Sequence, residues 1–168
     1  LGIRSLAIGA DGADGDAMGA SSNGDSSIAI GNDALAATDF STVLGAGAEA
    51  QGYAATVMGA YATASGQASA AFGNNAEAGE DNAAAFGGDT RASGESSIAL
   101  GHQSGADGFA AVAIGAEAVA DGEYATAING TANGDGAMAM GGGANADGID
   151  ATALGTGANA AELSTALG

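Results

Sequence analysis

Cysteine is absent, which excludes disulfides and thiolate metal sites and singles out no redox compartment. Proline is absent too, and glycine does not recur at every third residue, so a collagen-like triple helix is excluded. There is no tryptophan, and only 4% of the residues are aromatic. A conventional globular core needs many large side chains to offset chain entropy, and they are not here. Basic residues number 2 against 20 acidic ones, a net charge of -18, which argues against a nucleic-acid backbone or an anionic membrane surface as partner. No run is apolar and long enough to span a bilayer as a helix. The chain begins at Leu1 without a signal peptide and reads as a piece of a larger protein. What remains is alanine and glycine, close to half of the 168 residues. Such a chain is disordered, or stacks thin layers, or borrows a core from other chains.

A repeat decides among these. Ser97-Ile98-Ala99-Leu100-Gly101 is followed fourteen residues on by Ala111-Val112-Ala113-Ile114-Gly115. Large apolar anchors before the glycine recur at Ile8, Met18, Ile30, Leu44, Met58, Phe72, Phe86, Leu100, Ile114, Ile128, Met140, Leu154 and Leu167. From Ile30 to Ile128 the spacing is fourteen without interruption; the flanks are less regular, and Asn129 replaces one glycine. A fixed period of this kind marks a repeat architecture.

With the glycine as position one and the anchor as position fourteen, positions four, six and eleven are small and position thirteen is alanine or valine. Position eight is often glycine, as at Gly52, Gly66, Gly94, Gly108 and Gly122. Small and large residues alternate over positions three to six and eleven to fourteen, the period of a strand. Glycines at positions one and eight lie between, where the chain is expected to turn. Each repeat therefore predicts two short strands and two turns, one coil of a β-solenoid. Twelve or thirteen coils at ~4.8 Å make a rod roughly 60 Å long.

The acidic residues keep the same phase. From Asp33 to Glu123 they occupy positions three, five, seven, eight and nine, and never four, six or eleven to fourteen. A disordered acidic chain has no reason to respect such a phase. A coiled coil of two heptads per repeat is disfavoured by the recurrent glycines, each costing about 1 kcal/mol inside a helix.

Positions eleven and thirteen share one face of their strand, twelve and fourteen the other. The small faces predict a thin interior, and the anchors then point outward. An outward apolar stripe calls for a partner, and closed symmetry lets identical stripes bury one another. The expected self-interface comprises Leu44, Met58, Phe72, Phe86, Ile98, Leu100, Val112, Ile114, Ile128 and Leu154. The alternative places the anchors inside a monomeric roll.

The pentads Ser27-Ile28-Ala29-Ile30-Gly31, Ser97 to Gly101 and Ala111 to Gly115 resemble the head repeats of trimeric autotransporter adhesins, the YadA-like head. The likeness covers essentially the whole of 1–168, as one head with stalk and membrane anchor absent. It implies an all-β fold, a left-handed parallel β-roll of ~14-residue two-strand coils, three chains side by side. It also implies a non-enzymatic adhesin on a Gram-negative cell surface, tethered to the outer membrane through segments not in this chain. Its implied partners are host extracellular matrix, host cells or other bacteria. The motif is scaffold, so the resemblance assigns no binding residue, cofactor or metal.

Other chemistry is thin. His102, Ser104 and Asp107 sketch a nucleophilic triad, but a uniform rod offers no pocket for it. Asp107 with Asp121, and Glu80 and Asp81 with Glu95, put carboxylates on neighbouring coils, the kind of oxygen cluster that can hold Ca²⁺; a solvated acidic face, with Glu95 and Asp107 left free for contacts, explains them equally. Arg91 is expected to pair with Glu77, one coil away, at the surface. Tyr53, Tyr61, Phe109 and Tyr124 fall outside the anchor register, near turns, and are the candidate ligand contacts; packing over neighbouring turns is the alternative. Ice binding through Thr42, Thr56 and Thr126, a purely structural spacer and a polysaccharide-acting solenoid enzyme are the competing functions. Ala70, Ala84, Ile98 and Val112 interrupt the threonine array, and no acidic pair breaks the repeat inside a groove.

Overall fold

The computed structural model describes residues 1–11 and 19–168. It is a parallel β-solenoid of about fourteen residues per turn, built from two sheets. Three-residue strands form a 12-stranded sheet and two-residue strands an 11-stranded sheet, alternating along the chain from β1 (Leu6–Ile8) to β23 (Thr165–Leu167). Among the described residues, strands pair only with the equivalent strand one coil away. β13 (Ile98–Leu100) pairs with β15 (Val112–Ile114), putting Ile98 beside Val112, Ala99 beside Ala113 and Leu100 beside Ile114. Of the expected anchors, Met18 lies outside the described residues; Ile8 and Ile30 are direct partners.

The expected alternation holds, with shorter strands than the sequence suggests. They occupy positions five and six, and twelve to fourteen, as in β4 (Leu35–Ala36) and β5 (Thr42–Leu44). Position three is lost to the turn because its residue is left-handed: Asp33, Tyr61, Asn75, Asp89, Gln103 and Glu117 all have φ between 54° and 60°.

The interior is alanine. Ala34, Ala36, Ala48, Ala50, Ala99, Ala106 and Ala113 are among the buried residues, and Val43 and Val57 are its largest apolar side chains. With one methyl per residue there is little transfer energy per coil. Close packing and the continuous parallel ladders must hold the rod instead, as in other stacked repeats. Serine at position eleven, except Ser97 whose buried Oγ has no partner, or threonine at position four adds a polar lock. Ser69 Oγ donates to Gly66 O at 2.6 Å and Thr90 Oγ1 to Gly87 O at 2.8 Å, so buried hydroxyls close the turns three residues back.

Position eight corrects the sequence reading. Gly94 and Gly108 were expected to let the chain turn, yet the left-handed residue of that turn is position ten, filled by Ala54, Ala68, Asn82, Ser96, Ala110 and Tyr124. Glycine at position eight answers a close approach. A Cβ on Gly94 would lie 1.9 Å from Gly108 O, and one on Gly108 would lie 2.0 Å from Gly122 O.

Candidate functional site

Two surfaces carry the side chains that the scaffold does not use. The first is the outward face of the 12-stranded sheet. Positions twelve and fourteen point there, opposite to the buried alanine at thirteen, and every expected interface residue lies on it: Leu44, Met58, Phe72, Phe86, Leu100, Ile114, Ile128 and Leu154 in one column, Ile98 and Val112 in the other. Phe72 and Phe86 stack at 4.9 Å with ring planes 9° apart. Leu100 is 47% and Ile98 41% exposed, while Leu44, Phe72, Ile114 and Ile128 are half-buried, and a contiguous apolar face of this length marks an interaction surface. Ile28, Ile30, Met138 and Met140 extend the same face; the register that identified the others also identifies these.

The second surface is the turn at positions eight to ten. Tyr53, Phe109 and Tyr124 stand on it, together with Phe40, which the sequence reading passed over although it too breaks the anchor register. Phe40 meets Tyr53 edge to face at 5.5 Å, and Phe109 meets Tyr124 in the same way at 5.3 Å. Each pair joins adjacent coils. Tyr61 sits on the opposite turn, where its ring covers Gly47; a Cβ on Gly47 would come within 2.8 Å of it. The structure thus brings two of the four candidate contacts together, Phe109 with Tyr124, and separates Tyr61 from the rest.

Aspartate at position nine is structural. Asp25, Asp39, Asp81 and Asp135 each accept the backbone N–H of position nine in the preceding coil, at 2.7–2.9 Å. These carboxylates clip coil to coil. Asp81→Ala should cost about 1 kcal/mol, since a charged acceptor at an exposed N–H is lost. Thermal unfolding reads the cost, and faster amide exchange at Gln67 localises it.

Arg91 also departs from expectation. It is the Cα partner of Glu77 but pairs with Asp107 in the next coil. Asp107 and Asp121 stand side by side at position seven, so the negative potential is stronger there than beside lone Glu77. Asp107 is therefore engaged, not free for contacts. Asp121 has its carboxyl pushed above the usual range, first by burial, then by the Asp107 charge, with Arg91 opposing. A raised folded pKa means that the ionised form weakens the fold. Stability falls as pH rises from the unfolded carboxylate value through the folded one. Asp121→Asn should raise the melting temperature slightly at pH 7, and the gain should vanish at pH 3, which parallel thermal melts would reveal.

No triad forms. Ser104 is buried and donates its hydroxyl to Gly101 O at 2.9 Å, while His102 Nε2 lies 3.6 Å from Asp89 Oδ2. The Asp107–Asp121 pair gathers no third ligand: among the described residues, no group of three metal-ligating side chains comes together.

Comparison with known proteins agrees with this geometry. The YadA head domain repeat matches residues 22–48, 50–76, 78–104, 106–128 and 132–158, most of the chain. Among solved structures, the collagen-binding domain of the Yersinia adhesin YadA is similar in fold, with a TM-score of 0.51 at 24% identity, covering 100% of this chain and 82% of that one. No curated protein sequence matches. The repeats are those of an adhesin head and not of an enzyme family, and the chain belongs to the YadA head domain family.

Proposed function

We infer that the chain is the adhesive head of a surface protein that works as a side-by-side homotrimer. The observation that carries this is the continuous apolar face of the 12-stranded sheet, outside a roll whose interior is already full of alanine. Three such faces around one axis bury Leu44, Met58, Phe72, Phe86, Ile98, Leu100, Val112, Ile114, Ile128 and Leu154 against their copies. The turns and the other sheet then remain outside, carrying Tyr53, Tyr61, Phe109 and Tyr124 as contacts for host matrix, host cells or other bacteria. Family membership supports the setting: a head held away from a Gram-negative outer membrane by segments outside this sequence, with a part in virulence.

Light scattering on the purified head tests the assembly, with three times the chain mass expected. A panel of immobilised matrix proteins, including collagen, together with host cells and the parent bacterium, tests adhesion. Saturable binding to one of them is the expected result. A trimer that binds nothing on the panel would favour the spacer reading.

A further inference from the structure

The aromatic turn edge has a chemistry of its own. Its two edge-to-face pairs, Phe40–Tyr53 and Phe109–Tyr124, are five coils apart, about 24 Å along the rod at the parallel-strand spacing. All four rings are exposed, from 39% at Phe109 to 62% at Tyr124. Aromatic rings facing solvent in adjacent-coil pairs do not repeat along the rod, so the scaffold does not require them. Between the pairs the same edge presents exposed Glu80, Asp81 and Glu95, and no basic residue. Of the two arginines, Arg91 is held by Asp107, and Arg4 stands at position ten of the first coil, on this edge beside Asp25 and Phe40 but beyond the span between the pairs.

We propose that this edge binds an extended basic segment of a partner protein, laid along the rod from Phe40–Tyr53 to Phe109–Tyr124. The proposal rests on the adhesin reading and names the chemistry of its ligand. Aromatic faces attract Lys and Arg side chains. Carboxylates between them complement the same charges and reject acidic partners. An extended chain rises ~3.3 Å per residue, so about seven residues bridge the two pairs. That length lets an alternating sequence send every second side chain to the edge.

The test uses fluorescence anisotropy with a labelled ten-residue peptide alternating Lys and Gly, and its Glu-for-Lys counterpart. The Lys peptide should bind the intact head and the Glu peptide should not. Affinity should fall about tenfold or more in Phe40→Ala/Tyr53→Ala and again in Phe109→Ala/Tyr124→Ala, as expected for aromatic hot spots. Glu80→Gln/Glu95→Gln keeps the rings and the Asp81 clip, so it should weaken binding and flatten its salt dependence while leaving the melting temperature unchanged. Glu117→Gln, at position three on the opposite turn where Gln103 stands one coil earlier, should bind like the parent. Equal binding by all variants would mean diffuse attraction to a chain of charge -18 and would overturn the proposal. Binding of neutral oligosaccharides but not of the Lys peptide would overturn it as well. Adhesion to the panel that survives both aromatic double variants would remove this edge and leave the adhesin reading standing. Binding of the Lys peptide by a head that adheres to nothing on the panel would do the reverse.

Discussion

Gly108→Ala should unfold the middle of the rod, lowering the melting temperature by about 10 °C or more, although it adds a single methyl group. The added Cβ would sit 2.0 Å from Gly122 O and 2.4 Å from Gly122 C, both backbone atoms of the next coil. Relief needs a displacement of more than about 1 Å, and neither coil can move alone. Each is tied to the next through both sheets: Ala106 and Ala120 are register partners in one, Ala113 and Ala127 in the other. The turn itself is tied, with Ala110 N donating to Glu95 O and Tyr124 N to Phe109 O. The strain therefore spreads or the stack opens, at a cost above about 4 kcal/mol. Gly105→Ala is the matched control. A Cβ there meets nothing within 4 Å, and position five carries Leu35, Thr63 and Val119 in other coils. It should stabilise by about 0.4–1 kcal/mol through the unfolded chain. Circular dichroism melts of the two variants, which have the same composition, separate close approach from backbone freedom. Equal melting temperatures would contradict the account of position eight given above.

That pair of glycines shows where sequence reading stops. The period, the sheet that bears the anchors and the faces of Ala99 and Leu100 follow from alternation alone, because a period of two leaves each side chain one of two directions. The role of position eight does not follow, since glycine for a turn and glycine for close approach look alike in a sequence. Thr38 and Glu80 replace it in two coils, and Thr38 directs its hydroxyl to Gly52 O at 2.6 Å, a compensation that only the stacked neighbour reveals. The left-handed residues were hidden for a related reason. Phe40, Tyr61 and Glu117 have poor intrinsic preference for positive φ, at roughly 1–2 kcal/mol each, yet Tyr61 N bonds Ala46 O and Glu117 N bonds His102 O across the coils. The stack imposes the conformation, so local propensity carries no trace of it. The aromatic edge was half legible: Tyr53, Phe109 and Tyr124 stood out of register, but their pairing depends on which turn each occupies. Arg91 was misassigned because coil spacing gives its register partner, Glu77, while a long flexible side chain goes to the denser charge at Asp107 and Asp121.

Leu100→Asp/Ile114→Asp should convert the proposed trimer into folded monomers. The two residues are Cα partners in the outward column, on strands whose inward residues, Ala99 and Ala113, are fully buried. The substitutions therefore leave the roll's own core untouched and act only on what covers the face. Each anchor contributes roughly 1.5–3 kcal/mol when buried, so loss of two per chain weakens association by ~10²–10⁴-fold for each chain removed. The introduced carboxylates go further. Three copies place six negative charges around one axis, without a basic side chain in either column to offset them, and burying unpaired charge costs several kcal/mol more. At micromolar concentration, light scattering should give one chain mass for the variant and three for the parent, with unchanged strand signal in circular dichroism. Thr63→Asp supplies the contrast: Thr63 lies on the 11-stranded sheet at position five, pointing away from the stripe, and its charge should leave the assembly intact. A parent chain that is itself a stable monomer would show that the stripe is covered by something other than its copies. If Thr63→Asp dissociated the assembly and Leu100→Asp/Ile114→Asp did not, the interface would belong to the opposite face of the roll.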